Sequence, residues 1–276
     1  MKRIFLIMLI AMSAYSSQSF AQGNLLITPT RVVFEGNKQK EELTLANTGK
    51  DTAIYSISFV QKQMNENGSF VNIEKADSGQ MFADPYLRIF PRQVTLAPGE
   101  AQVIALQYRR KPDMAAGEYR SHLYFRSEKS YNPLGMGNSD QDETSLNVQL
   151  IPVFGMSIPI IIRTGEVSVS AALSDLELDI QPNMTQNLKL TIFRTGNISL
   201  YGDIKVQYIP ERGKSYEIGT AAGVGVYTNI NKRYVVVNLK NTSGEPLVNG
   251  KLKVQYVSKG GTKKTVVYAE GELDIK

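Results

Sequence analysis

Apolar and polar residues alternate with a period of two along most of this chain, and no stretch keeps a 3.6-residue apolar stripe between helix caps. The segment "TPTRVVFEG", Thr28 to Gly36, sets the pattern. Thr30, Val32 and Phe34 fall on one face of a predicted strand, and Arg31, Val33 and Glu35 on the other. Strand-like runs follow at short intervals: "KEELTLANTG", "AIYSISFVQ", "PYLRIFPRQVTLAPGE", "AQVIALQYR" and "EYRSHLYFRSE". A long alternating run, "TSLNVQLIPVFGMSIPIIIR", closes the first half. Roughly seven strands at this spacing predict a Greek-key β-sandwich. "TGEVSVSA" reads as the exit, which places the first domain at 22–164 and a second at 165–276. The second half repeats the pattern in "LKLTIFRTGN", "LYGDIKVQYIP", "YEIGTAAG", "YVVVNLKNTSGEP", "KLKVQYVSKGG" and "TVVYAEGELDI". The fold class expected is all-β, with two β-sandwich domains.

Residues 1–21 stand outside that pattern. A basic start "MKR", the apolar run "IFLIMLIAM" and the small-x-small end Ser19-Phe20-Ala21 predict a secretory signal peptide cleaved before Gln22. The run is too short to span a bilayer, and no cysteine follows it to carry a lipid. The mature protein is therefore expected to be exported, with no membrane span. Without Lys2 and Arg3 the 31 basic residues fall to 29 against 26 acidic, a net charge near +3, too weak to point to nucleic acid.

Composition also narrows the chemistry. The chain has no cysteine and one histidine, His122, so disulfides, thiol catalysis and a multi-histidine metal site are ruled out. His122, in "YRSHLYF", reads as a strand-face residue near a sheet end. Carboxylate pairs remain open, as in any protein of this size, but an enzyme is disfavoured. The glycines of "AAGVGVY" do not follow a strand and open a helix, so they read as turn or bulge glycines and not as a phosphate loop.

Two neighbouring features stand out. "YNPLGMGNSDQDE", Tyr131 to Glu143, is a long loop without periodicity, which is either functional or a passive surface connection. In the strand after it Leu146, Val148 and Leu150 share one face, and the alternation runs on through Pro152 and Phe154. Pro152 and Pro159 cannot donate ladder hydrogen bonds, which argues for an edge position. Such an edge is a pairing hazard unless the loop or the second domain covers it, and both readings stand.

These residues resemble the PapD-like periplasmic pilus-assembly chaperones. The likeness lies in "ITPTRVVFEGNKQKEELTLANTG", in "FPRQVTLAPGEAQVIALQYR", and in "GEYRSHLYFR" with the loose loop and alternating strand after it, so it covers most of Leu25 to Arg163. The resemblance implies two Ig-like domains arranged as a boomerang with a cleft between them, no enzymatic activity and no cofactor. It implies partners too: fimbrial subunits lacking one strand, an outer-membrane usher-type assembly protein, and self-association when free. By matching position the donated strand carries Leu146, Val148, Leu150, Pro152 and Phe154. Arg31 matches the family's first-strand arginine, which anchors the subunit's C-terminal carboxylate together with a last-strand lysine. That lysine is missing here: the region offers Ser157 and Pro159, with Arg163 or Arg126 as substitutes. The alternative reading is a PapD-like structural or adhesive module of a surface complex, with the same strand buried internally.

Overall fold

The computed structural model describes residues 25–128, 153–180, 186–240, 247, 249–259 and 265–275. Among them there is no α-helix, only a 3-10 turn at Asp84–Tyr86, and no helix long and apolar enough to cross a membrane. The protein is all-β, as its alternation predicts.

Ten strands build the first sandwich: β1 (Leu25–Thr28), β2 (Val32–Phe34), β3 (Lys40–Asn47), β4 (Ala53–Met64), β5 (Phe70–Ile73), β6 (Leu87–Phe90), β7 (Gln93–Leu96), β8 (Ala101–Tyr108), β9 (Gly117–Glu128) and β10 (Gly155–Thr164). One sheet runs β1-β3-β8-β6 and the other β2-β10-β9-β4-β5, with β7 paired to β4. The chain changes sheet between β1 and β2 and again between β6 and β7. Both changes fall at a proline, Pro29 and Pro91, each after a cis peptide. A proline has no N–H to continue a ladder, so pairing stops there and the chain is free to cross.

This corrects the expected single strand at Thr28–Gly36. β1 pairs antiparallel with β3, β2 pairs parallel with β10, and Arg31 lies in the crossing segment instead of mid-strand. Val32 and Phe34 still face the core, 2% and 1% exposed, whereas Thr30 is exposed.

The second sandwich contains β11 (Val169–Ile180), β12 (Gln186–Gly196), β13 (Leu200–Pro210), β14 (Tyr216–Val226), β15 (Lys232–Leu239), β16 (Gly250–Ser258) and β17 (Val267–Ile275). Its sheets are β11-β12-β15 and β14-β13-β16-β17. β11 was not expected, because "AALSDLELDI" mixes acids into its alternation. It carries a bulge between Ser174 and Glu177, with Asp175 at φ 54. Gly223 lies at an irregularity of the β13–β14 ladder with φ 70 and donates its N–H to Asp203 Oδ1 at 2.8 Å, a bulge glycine as expected.

Each pair of sheets closes over its own apolar core. One contains Leu43, Leu45, Ile104, Leu123 and Ile160, the other Leu188, Ile192, Ile204, Leu252 and Tyr256. The expected edge strand is an edge only in part. β10 pairs with β9 along its whole length, but β2 covers its other flank only at Ile160–Ile162. Among the described residues Gly155 to Pro159 have a partner on one flank alone.

Leu123 is fully buried in the first core. Leu123→Ala is expected to cost about 2–5 kcal/mol, read as a lower urea midpoint with an unchanged slope. A midpoint within error of the parent's would show that this core is not packed as described.

Candidate anion-binding cleft

The two sandwiches meet over one buried carboxylate. Glu118, at the start of β9, is 1% exposed. Its Oε1 accepts from Arg120 Nη2 at 2.5 Å. Its Oε2 accepts from Arg163 Nε at 3.1 Å, and from the backbone N–H and hydroxyl of Ser199, in the second sandwich, at 3.0 and 2.8 Å. Arg120 also donates to the Ser199 hydroxyl at 2.6 Å, and Arg163 to the Ser199 carbonyl at 3.1 Å and to Glu35 at 2.6 Å. Burial alone would raise the Glu118 pKa. Arg120, Arg163 and the Ser199 N–H reverse that and hold it down at about 2.

His122 is not near a sheet end, as its sequence context suggested. It sits within β9 opposite Val60 and Pro159, 3% exposed, with Nε2 3.3 Å from the Tyr227 hydroxyl of the second sandwich. Burial, then the charges of Arg120, Lys62 and Arg31, push its pKa down to about 3, so the ring is neutral. Tyr227 is the aromatic centre of the contact. The Arg120 guanidinium lies 3.5 Å from its ring centroid, and Phe70 packs against it at 5.3 Å.

Beside this contact a cavity of about 290 Å³ opens between the sandwiches. Thr30, Arg31, Met64, Gly68, Phe70 and Pro159 line it from the first, and Tyr201, Gly223, Gly225, Tyr227 and Arg233 from the second. Among the described residues two arginines line it and no acid does. The half-buried Arg31 guanidinium lies 4.5 Å from the Tyr201 ring centroid and has no hydrogen bond or ion pair among the described residues. Burial, then repulsion from Arg120, lowers its pKa to about 10, so it remains charged at neutral pH. An unpaired guanidinium at the wall of a cavity is a site for an anion with two acceptor oxygens.

Arg31, which the resemblance named as a carboxylate anchor, lines the cavity. Arg163 lies elsewhere: Glu118, Glu35 and Ser199 take up its donors, and it does not line the cavity. Arg126 is exposed and also outside it. Pro159, near the place of the absent lysine, is part of the wall. Phe154 is 40% exposed, and its backbone exchanges hydrogen bonds with Ser127 at 2.8 and 3.1 Å. Leu146, Val148, Leu150, Pro152 and the loop Tyr131–Glu143 lie outside the described residues. Arg233, Tyr201 and Tyr227 were missed, because nothing local in the second half marks residues that only the meeting of two sandwiches brings to one cavity. Among the described residues no group of His, Asp and Glu could hold a metal ion.

The geometry defines a class: an all-β protein of two sandwiches with a cationic, aromatic-walled cleft between them. No family model and no curated protein matches the chain. Solved structures do. The YadV chaperone is 12% identical, with 92% of this chain and 100% of that one covered and a TM-score of 0.45. The class 5 fimbriae chaperone CfaA is 16% identical over 88% and 97%, TM-score 0.41. A chain of the CsuC–CsuE chaperone–tip adhesion subunit pre-assembly complex, from archaic Csu pili of Acinetobacter baumannii, is 14% identical over 77% and 90%, TM-score 0.40.

Glu118 and His122 make stability depend on pH with the same sign. Both folded pKa values lie below the ordinary ones of 4.5 and 6.5, so on acidification the unfolded chain takes up protons that the folded chain refuses. Stability is expected to be full above about pH 6.5. It falls as pH drops, His122 acting down to about 3 and Glu118 from 4.5 to about 2. His122→Gln should flatten the upper part of a plot of thermal midpoint against pH. A parent profile flat from 6.5 to 4.5 would contradict the buried neutral ring. Glu118→Gln leaves Arg120 buried without its counter-ion and should cost about 3–5 kcal/mol by urea unfolding.

Proposed function

We propose that this protein is an exported, ATP-independent assembly chaperone for fimbrial or related surface-fibre subunits. One observation carries the reading: Arg31 stands half-buried and unpaired at the wall of a cavity that no acidic side chain lines. In this reading the cavity receives the C-terminal carboxylate of a subunit, and Arg31 holds it through paired charge-assisted hydrogen bonds.

The rest of the subunit lies along the strand leading into β10. Leu146, Val148, Leu150, Pro152 and Phe154 share sequence parity with Ile158, Ile160 and Ile162, which face the first core. An extended segment in phase with β10 offers that apolar row to a sandwich lacking a strand. Main-chain bonds supply pairing, and each buried Leu or Val contributes about 1.5–3 kcal/mol. The subunit is then passed to an outer-membrane usher-type protein, where a competing strand releases it. The reaction needs no cofactor, and the setting is the periplasm, reached through the signal peptide at 1–21. The first domain, 22–164, does the donating, and the second, 165–276, closes the cleft.

Co-expression with the subunits encoded beside this gene tests the reading. Arg31→Ala should lower subunit recovery at least tenfold while leaving the chaperone's own yield unchanged. Val148→Glu with Leu150→Glu should abolish recovery. If all of these variants recover the subunits like the parent, the protein is no chaperone of this type, and the structural or adhesive module becomes the better account.

A further inference from the structure

The cavity contains a second guanidinium whose environment matches that of Arg31. Arg233, on β15, donates to the Gly225 carbonyl, and it has no acidic partner among the described residues. Its Nε is enclosed and without a hydrogen-bond partner there. Burial lowers its pKa, as it does for Arg31. The buried carboxylate of Glu118 hydrogen-bonds Arg120, Arg163 and Ser199 and makes no hydrogen bond to Arg31 or Arg233 among the described residues.

Its position is held from the opposite sandwich. The turn between β4 and β5 reaches across: Tyr234 N–H donates to the Glu66 carbonyl at 2.8 Å, and Asn229 Nδ2 to the Met64 carbonyl at 2.8 Å. Gly68, at φ 84, lies directly on the Arg233 guanidinium, where a Cβ would collide with it. The backbone favours glycine there, and any side chain would push the guanidinium aside. The first sandwich thus fixes an arginine that belongs to the second, and turns it to the cavity that Arg31 faces from the other side.

We infer that Arg31 and Arg233 form one carboxylate site, with one guanidinium from each sandwich on the same terminal carboxylate. The inference rests on the reading of Arg31 as a carboxylate anchor and adds the group that completes it. Arg233 then fills the role for which the sequence suggested Arg163 or Arg126. The apolar remainder of the wall, Met64, Phe70 and Pro159 with the rings of Tyr201 and Tyr227, suits the body of a chain-terminal residue more than a bare inorganic anion. A volume of about 290 Å³ sits at the low end of small-ligand sites, room for a chain end and little else.

The test uses the full mature chain, ¹⁵N-labelled, with the Nε–Hε resonances of Arg31 and Arg233 followed during titration. The probes are N-acetyl-trialanine as the free acid, the same peptide as its C-terminal amide, and inorganic phosphate. The free acid should shift both arginines saturably with one shared Kd, and the amide neither. Arg233→Lys, which keeps the charge and loses the fork, and Gly68→Ala, which displaces the guanidinium, should each weaken the acid roughly ten- to hundredfold. A saturable shift at Arg31 with none at Arg233 overturns the shared site and leaves the Arg31 anchor standing. No acid-dependent shift at either arginine overturns both. Equal or tighter binding of phosphate overturns the assignment to a chain terminus.

Discussion

One buried carboxylate, Glu118, holds two arginines between the sandwiches, and Glu35 shares the second of them. Glu118 accepts from Arg120, Arg163 and Ser199, which ties β9 and β10 of the first sandwich to the start of β13 in the second. Removing two arginines and an acid from water is costly, and only the nearly complete hydrogen bonding of Glu118 offsets it. Glu118 makes no hydrogen bond to Arg31, and its charge only partly offsets the burial and the repulsion from Arg120 that depress the Arg31 pKa. The contact that joins the two sandwiches sets Arg120 and Arg163 against Glu118 and Glu35, and Arg31 has no ion pair among the described residues.

The strands were legible because half-buried sheets force a period of two on their sequences. Val32 and Phe34, Leu43 and Leu45, and Ile104 and Leu106 all alternate in the text as they do in the core. What misled was the proline. Pro29 sits inside an apparently continuous alternation, yet the chain changes sheet around it, and Arg31 turns from a strand-face residue into one of the cleft. β11 was hidden by the reverse cause: Asp175 and Glu177 are exposed, Asp179 is half-buried, and a bulge resets its phase.

The site was half legible. Arg31 could be found because a charged residue between β-branched neighbours breaks a local pattern. Arg233 could not, since "NKRYVVV" reads as an ordinary basic entry to a strand. Its meaning comes from Gly68, far away in sequence, whose missing side chain makes room for the guanidinium. Two distant residues that matter only to each other leave no periodic trace in either neighbourhood. Arg163 shows the opposite case: the resemblance suggested it as a substitute anchor, but Glu35 and Glu118 pair with it.

In the proposed reading, a cleft that fixes a chain end also answers a difficulty built into strand pairing. Because side chains alternate, a slip of one residue exchanges the buried face for the exposed one, and an apolar row alone does little to prevent slips of two. In β10 the stretch paired on one flank alone among the described residues, Gly155 to Pro159, ends at the wall of the cavity that Arg31 also lines. A carboxylate exists at one point of a polypeptide, its terminus, or at its acidic side chains, whereas backbone amides exist everywhere. Recognition through a guanidinium at that point converts a repetitive, slippery contact into one with a defined origin. In the proposed reading the apolar row supplies affinity, and the carboxylate held by Arg31 determines where the row begins.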